Sequence, residues 1–288
     1  MSLKISSSGA REILRRTGTA IRDSVTTCTQ TASSALDADT GKLNWYFQFV
    51  PHDLHDWDAT QVPVLVDAEW GGQPRKLVYW AHRGGFYYVL DRETGKFLFG
   101  TPFAKQTWAK GLDPAGHPIR LANIDPSPEE TYLWPGVQGA TNWYAPSYNP
   151  LTKLFYVAFL ENRSVYRKGE KEYIAGNRYT GSSPLIDLPE DPGRGGVRAL
   201  NPHTGERVRD YTLHTKPWAG VLSTAGKLVF GGSDEGYFFA LDAETGKEVW
   251  RQNVGGVIRA NPISYLIKGR QLVSIAAGNA LFTFSLER

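Results

Sequence analysis

An all-β fold built from repeated hairpin sheets is predicted by three features of this 288-residue sequence. First, aromatic residues are abundant, with 9 Trp, 14 Tyr and 13 Phe, and 30 Gly and 17 Pro supply turn chemistry between them. Aromatic runs punctuated by Gly and Pro favour strands over helices. Second, one hairpin phrase recurs. It reads Ala35-Leu36-Asp37-Ala38-Asp39-Thr40-Gly41-Lys42, then Val89-Leu90-Asp91-Arg92-Glu93-Thr94-Gly95-Lys96, then Ala199-Leu200-Asn201-Pro202-His203-Thr204-Gly205-Glu206, then Ala240-Leu241-Asp242-Ala243-Glu244-Thr245-Gly246-Lys247. In each, Asp or Asn opens a turn by accepting backbone amides, and Gly takes the positive-φ position. Third, Thr40, Thr94, Thr204 and Thr245 are spaced 54, 110 and 41 residues apart. Periods of this size in an all-strand sequence mark propeller blades, and the strand runs allow about four to five of them. The fold class is therefore all-β, a partial β-propeller.

Taken in order, residues 1–34 stand apart. Arg11, Arg15, Arg16 and Arg22 are interspersed with Ser and Thr, and no continuous apolar stretch follows them. That is not a secretory signal peptide, and a poorly ordered leader unrelated to the propeller is expected here. The propeller is expected over residues 35–288. A strand-like run, Trp45–Val50, leads into the polar stretch Pro51-His52-Asp53-Leu54-His55-Asp56-Trp57-Asp58, and Val62–Val66 leads out. Lys76–Trp80 and Gly85–Leu90 are strands of one blade. Leu154–Phe159 belongs to the next, behind a worn copy of the turn at Asn149-Pro150-Leu151-Thr152-Lys153. Lys227–Phe230 with Tyr237–Leu241, and Gln271–Ile275 with Ala280–Phe284, supply two more. Residues 101–141 and 161–196 are rich in Gly, Pro and charge and read as insertions on a face where sites are built.

Bulk chemistry excludes several classes. A net charge of +3 is too weak and evenly spread for a nucleic-acid partner. The lone Cys28 forms no internal disulfide, and no Cys/His spacing indicates zinc. No apolar run has transmembrane length. The chemistry concentrates in residues 51–58, with three carboxylates, two imidazoles and an indole. This stretch has neither helical nor strand periodicity and reads as a loop. In an extended backbone Asp56 and Asp58, alternating with Trp57, face the same way. Two converging carboxylates indicate a hard cation or a coupled acid–base pair, the alternative being a polar turn with solvated charges.

The Asp-x-x-Thr-Gly-Lys-x-x-Trp repeats, together with Pro51–Asp58, resemble the quinoprotein alcohol dehydrogenases. These are propellers of about eight blades that bind pyrroloquinoline quinone (PQQ) and a metal ion. The resemblance runs from about residue 35 to the C-terminus and matches the C-terminal half of a typical member. It implies that Asp56 is the base that takes the alcohol proton and also a metal ligand. It places Asp58 where some members carry an extra Asp associated with a lanthanide in place of Ca2+, which suits an ion needing more anionic oxygen. Ala81-His82-Arg83-Gly84-Gly85 matches the family's Asp-Arg-Asn-Gly segment, so Arg83 is expected at a quinone oxygen, with His82 departing from the usual Asp. Gly139–Trp143 places Asn142 as an amide donor to PQQ, and Lys216–Gly220 places Trp218 at the cofactor's edge. His52, Asp53 and His55 are expected to shape the loop.

The resemblance further implies a small alcohol substrate, a cytochrome or other electron acceptor, and a periplasmic location. The family's N-terminal half supplies an adjacent-cysteine disulfide ring, a Trp floor, and a Glu and an Asn to the metal, and none of these is located here. The expectation is a truncated product, one part of a split enzyme completed by a chain carrying the missing blades, or an inactive fragment. Weak or absent PQQ binding by the chain alone is expected. A non-catalytic binding or assembly scaffold is the competing reading, and a sugar dehydrogenase using PQQ is a third.

Overall fold

The computed structural model describes residues 3–8, 31–169, 172, 174–177, 188 and 191–285. Every regular element among them is a strand. The chain divides into two compact units, one drawn from Met1–Asn142 and Glu161–Gly193, the other from Trp143–Leu160 and Arg194–Arg288.

In the first unit β1 (Leu3–Ser8), β2 (Ala32–Asp37) and β3 (Leu43–Gln48) form a three-stranded sheet. Within the span expected to be a leader, residues 3–8 thus pair with β2 and Ala32–Ser34 lie inside β2. Residues 9–30 lie outside the described residues. The next sheet is four-stranded, β4 (Val64–Trp70), β5 (Gln73–Ala81), β6 (Phe86–Asp91) and β7 (Phe97–Pro102), in that order. The insertion after it folds into β8 (Ala109–Leu112), paired with β9 (Pro118–Arg120), and β10 (Thr131–Leu133).

The second unit holds the sheet formed by β11 (Ser147–Asn149), β12 (Leu154–Glu161), β14 (Arg194–Leu200) and β15 (Arg207–Leu213). Between β12 and β14, β13 (Ser164–Tyr166) returns to the first unit and pairs with β10. Then come β16 (Leu222–Ser223), β17 (Leu228–Gly232), β18 (Tyr237–Asp242) and β19 (Glu248–Asn253) as a four-stranded sheet, and β20 (Ile263–Ile267), β21 (Arg270–Ala277) and β22 (Ala280–Ser285) as a three-stranded one. Five antiparallel meanders of three or four strands meet the expectation of a partial propeller of four to five blades.

The recurring phrase forms the same hairpin each time. Asp37 Oδ1 accepts the Thr40 N–H at 2.8 Å and the Thr40 hydroxyl at 2.7 Å. Asp91 does the same for Thr94, at 3.0 and 2.9 Å, and Asp242 for Thr245, at 2.7 and 2.8 Å. A register shift falls between the two residues before the Asp or Asn in all four copies, at Ala35/Leu36, Val89/Leu90, Ala199/Leu200 and Ala240/Leu241. Such a shift turns the strand sharply into the hairpin. The worn copy keeps the geometry: Asn149 Oδ1 accepts the Leu151 N–H at 2.9 Å, and Lys153 adopts φ 55° where Gly stands elsewhere.

Aromatic residues after the turns tie neighbouring sheets within each unit. The Trp45 indole donates to the Arg92 carbonyl at 2.9 Å, and its ring lies over Gly95, where a Cβ would stand 2.6 Å from it. In the second unit the Tyr156 hydroxyl donates to the Ala243 carbonyl at 2.9 Å. The first unit's core is aromatic: Phe49 lies 4.9 Å from the rings of Trp80, His82 and Tyr88. That packing anchors the strand end from which the acidic loop departs.

Candidate functional site

The acidic loop is held by buried polar anchors rather than by strand pairing. Its entry is pinned where the Phe49 N–H donates to the Thr31 carbonyl at 3.0 Å and the Thr31 hydroxyl donates to the Val50 carbonyl. Asp53 is buried and folds the loop back on itself. Its Oδ1 accepts the His55 N–H at 2.9 Å and its Oδ2 the Trp57 N–H at 2.7 Å. Burial pushes the Asp53 carboxyl up to about 6, against the pull of these amides. His55 Nε2 donates to the Ile124 carbonyl at 2.8 Å, and burial pulls this imidazole down to about 4. Trp57 is fully buried; its indole donates to the Gly136 carbonyl at 3.0 Å, with its ring 4.6 Å from His55 and 5.1 Å from Trp108. Asp53 and His55 shape the loop, in line with the sequence reading.

This anchoring presents Asp56 and Asp58 to Arg83. The Arg83 Nη2 lies 3.6 Å from Asp56 Oδ2 and its Nη1 lies 3.6 Å from Asp58 Oδ1. The two carboxylates therefore do face one spot, but the backbone is not the extended one assumed from the sequence. Asp56 sits at φ 65°, in the left-handed region, which Asp enters more readily than most residues. The Arg83 side chain is 7% exposed, Asp58 14% and Asp56 42%, so Asp56 is the carboxylate open to an incoming molecule. Burial pushes the Asp58 carboxyl well up, with Asp56 and Asp53 adding to the rise and Arg83 opposing it.

Arg83 is itself fixed by the segment 136–142. Its Nη2 donates to the Val137 carbonyl at 2.6 Å, and its own carbonyl accepts the Ala140 N–H at 2.7 Å. Gly139, at φ 78°, allows this approach: a Cβ there would stand 2.7 Å from the Arg83 Cβ. Asn142 is buried at the end of the same segment and donates from Nδ2 to the Gln138 carbonyl at 2.9 Å. Of the residues singled out from sequence, the first unit thus gathers Asp56, Asp58 and Arg83, with Asn142 on the segment that holds Arg83. Trp218 belongs to the second unit. There it packs against Tyr144, ring centroids 6.2 Å apart, with the Arg259 guanidinium 5.5 Å from its ring. Sequence reasoning missed Trp57 as the loop's buried spine and Trp108 behind it, whose indole donates to the Gly84 carbonyl at 2.7 Å.

The donor chemistry fits a hard cation. Asp58 Oδ1 is buried without a hydrogen bond, and Asp56 beside it adds a second anionic oxygen group. Among the described residues no cluster of three His, Cys, Asp or Glu side chains forms. A Ca2+ or lanthanide ion, which takes about 6–8 oxygens, therefore needs donors beyond these two carboxylates.

His82, where the family carries Asp, is wholly buried. Its Nδ1 accepts the Gly84 N–H at 3.0 Å, and burial pulls the imidazole down to about 3. Its folded value lies below the unfolded one, so the unfolded chain binds more protons below pH ~6.5. Stability contributed by this site is complete above that pH and falls as the pH drops toward 3. The expected loss is about 2–3 kcal/mol by pH ~4. Denaturant midpoints at pH 7 and pH 4 check this: the drop should be smaller in His82→Asn, whose Oδ1 can accept the same amide.

Comparison with known proteins agrees with this architecture. Residues 26–109 and 191–273 match the PQQ family described as glucose/ethanol/alcohol dehydrogenase, beta-propeller domain. The chain belongs to this family. It is 36% identical over 248 residues to quinohemoprotein alcohol dehydrogenase ADH IIB of Pseudomonas putida, covering 85% of this chain and 36% of that protein. It is 36% identical over 253 residues to quinoprotein alcohol dehydrogenase PedH of Pseudomonas putida, covering 85% of this chain and 42% of the relative. Among solved structures, the europium-containing methanol dehydrogenase superposes with a TM-score of 0.80 at 30% identity, over 85% of this chain and 44% of that one. The chain thus spans less than half the length of these relatives.

Proposed function

We propose that this chain forms the proton-abstracting and metal-facing part of a PQQ-dependent alcohol dehydrogenase. The observation that supports this most is the Arg83 guanidinium flanked at 3.6 Å by the carboxylates of Asp56 and Asp58. When bound, the quinone and its metal ion supply the hydride acceptor and its polarisation. The chain's own residues supply the rest. Asp56, the more exposed carboxylate, accepts the hydroxyl proton of a small alcohol. Arg83, held by Val137 and Ala140, places positive charge where the reduced cofactor gathers negative charge. Asn142 and Trp218 are carried over from the family as cofactor contacts. Asp56 and Asp58 are the metal ligands, and Asp58 favours a lanthanide over Ca2+ by adding an anionic oxygen donor. Electrons pass onward to a cytochrome or other acceptor, in the periplasm that the family resemblance implies. The blades that complete the cofactor site come from outside these residues, on the same protein or on a partner chain.

The test is a titration of the purified chain with PQQ and La3+ or Ca2+, read by the cofactor's absorbance. Binding weaker than micromolar is expected, lost in Arg83→Met. No signal at millimolar PQQ, or a signal that Arg83→Met leaves unchanged, overturns the proposal. With the metals alone, Asp58→Asn is expected to weaken La3+ binding at least tenfold and Ca2+ binding less, as measured by calorimetry.

A further inference from the structure

Buried polar side chains in folded proteins are almost always hydrogen-bonded. The first unit departs from this at several places, Ser33 Oγ, His55 Nδ1 and His82 Nε2 among them, and one group of such atoms is joined by a short segment. The Thr141 hydroxyl, both amide atoms of Asn162, Arg83 Nε and Asp58 Oδ1 are all buried without a hydrogen-bond partner. Thr141 and Asn162 are each 1% exposed, so bulk solvent does not reach them. The four residues are linked through residues 136–142. The Asn162 carbonyl accepts the Gly136 N–H at 2.8 Å, and the Arg83 carbonyl accepts the Ala140 N–H at 2.7 Å. A Cβ built on Gly139 would stand 2.8 Å from both the Arg83 Cγ and the Thr141 carbonyl oxygen, so these two residues flank one point. Asp58 joins through Arg83 at 3.6 Å.

Each such orphan costs about 1–3 kcal/mol in a protein with nothing bound. Unpartnered groups joined by one backbone segment to the residue proposed to meet the quinone are candidates for ligand contacts. Asn142 commits a side-chain N–H to the Gln138 carbonyl, whereas the hydroxyl of its neighbour Thr141 has no partner. We propose that Thr141 and Asn162 are further cofactor-binding residues, giving a hydroxyl and an amide to the carbonyl and carboxylate oxygens of the bound quinone. A hydroxyl donates one hydrogen bond and a side-chain amide two, with acceptor sites besides, which suits an oxygen-rich planar ligand. This rests on the PQQ reading above.

The test is thermal unfolding of the full chain, alone and with millimolar PQQ and La3+, for wild type, Arg83→Met, Thr141→Val, Thr141→Ser and Asn162→Leu. Removing an unpaired buried polar group stabilises the ligand-free chain, so Thr141→Val and Asn162→Leu are expected to raise its midpoint by about 2–4 °C. The same two variants are expected to lose at least half of the ligand-induced rise, and Thr141→Ser to keep it. If either variant lowers the ligand-free midpoint, or keeps the full rise, the assignment of that residue is overturned. If Arg83→Met abolishes the rise while Thr141→Val and Asn162→Leu retain it, this inference alone fails. If wild type shows no rise, the PQQ reading fails and this inference falls with it.

Discussion

Replacing Trp57 with alanine is expected to cost about 3–5 kcal/mol of stability and to abolish metal binding with it. The side chain is fully buried against His55 and Trp108, and its indole N–H satisfies the Gly136 carbonyl. Truncation opens a cavity between the acidic loop and the segment that holds Arg83. It also leaves a buried carbonyl unpaired. Trp57→Phe keeps one six-membered ring and loses the hydrogen bond with part of the packing, so a smaller cost of about 1–3 kcal/mol is expected. Denaturant unfolding of the two variants checks the order. Equal costs would show that the hydrogen bond, not the packing, carries the effect.

In the second unit the largest single loss is expected from Arg198→Ala. Arg198 is 1% exposed; its Nε and Nη2 each lie 2.8 Å from an Asp210 carboxylate oxygen, and its guanidinium lies 3.9 Å from the Phe159 ring centroid. Truncating it leaves the Asp210 carboxylate mostly buried, facing the half-exposed Arg207 at 3.5 Å. Breaking such a pair costs about 3–5 kcal/mol. Removing both charges, as in Arg198→Met with Asp210→Leu, is expected to cost less than Arg198→Ala alone. Thermal and denaturant midpoints of the single and double variants measure the difference. A double variant worse than the single one would show that the pair stabilises beyond mutual neutralisation.

Much of this was legible in the sequence, and the reason is local. The Asp-x-x-Thr-Gly hairpin is specified by neighbours in sequence: one carboxylate captures two amides and the Thr hydroxyl, and one Gly takes the left-handed position. That is why the four copies, and even the worn one at Asn149, were readable. The convergence of Asp56 and Asp58 was also readable, although for a reason that does not hold, since Asp56 is not extended. Their meeting with Arg83 rested on family resemblance, because it joins residues some 25 positions apart through a loop without periodicity. The roles of Trp57, Trp108, Thr141 and Asn162 were not legible. Each depends on being buried by distant parts of the chain, and polar burial leaves no periodic trace in a sequence.

The glycine of the repeated hairpin answers different demands in different copies. At Gly41 nothing lies within 4 Å of where a side chain would begin, whereas at Gly95 the Trp45 ring already fills that space. The first position demands only a backbone conformation, which Asn or even Lys tolerates, as Lys153 demonstrates. The second demands the conformation and an empty volume together. A side chain at Gly95 would therefore push apart the seam where one sheet rests on the next, whereas one at Gly41 would meet open space.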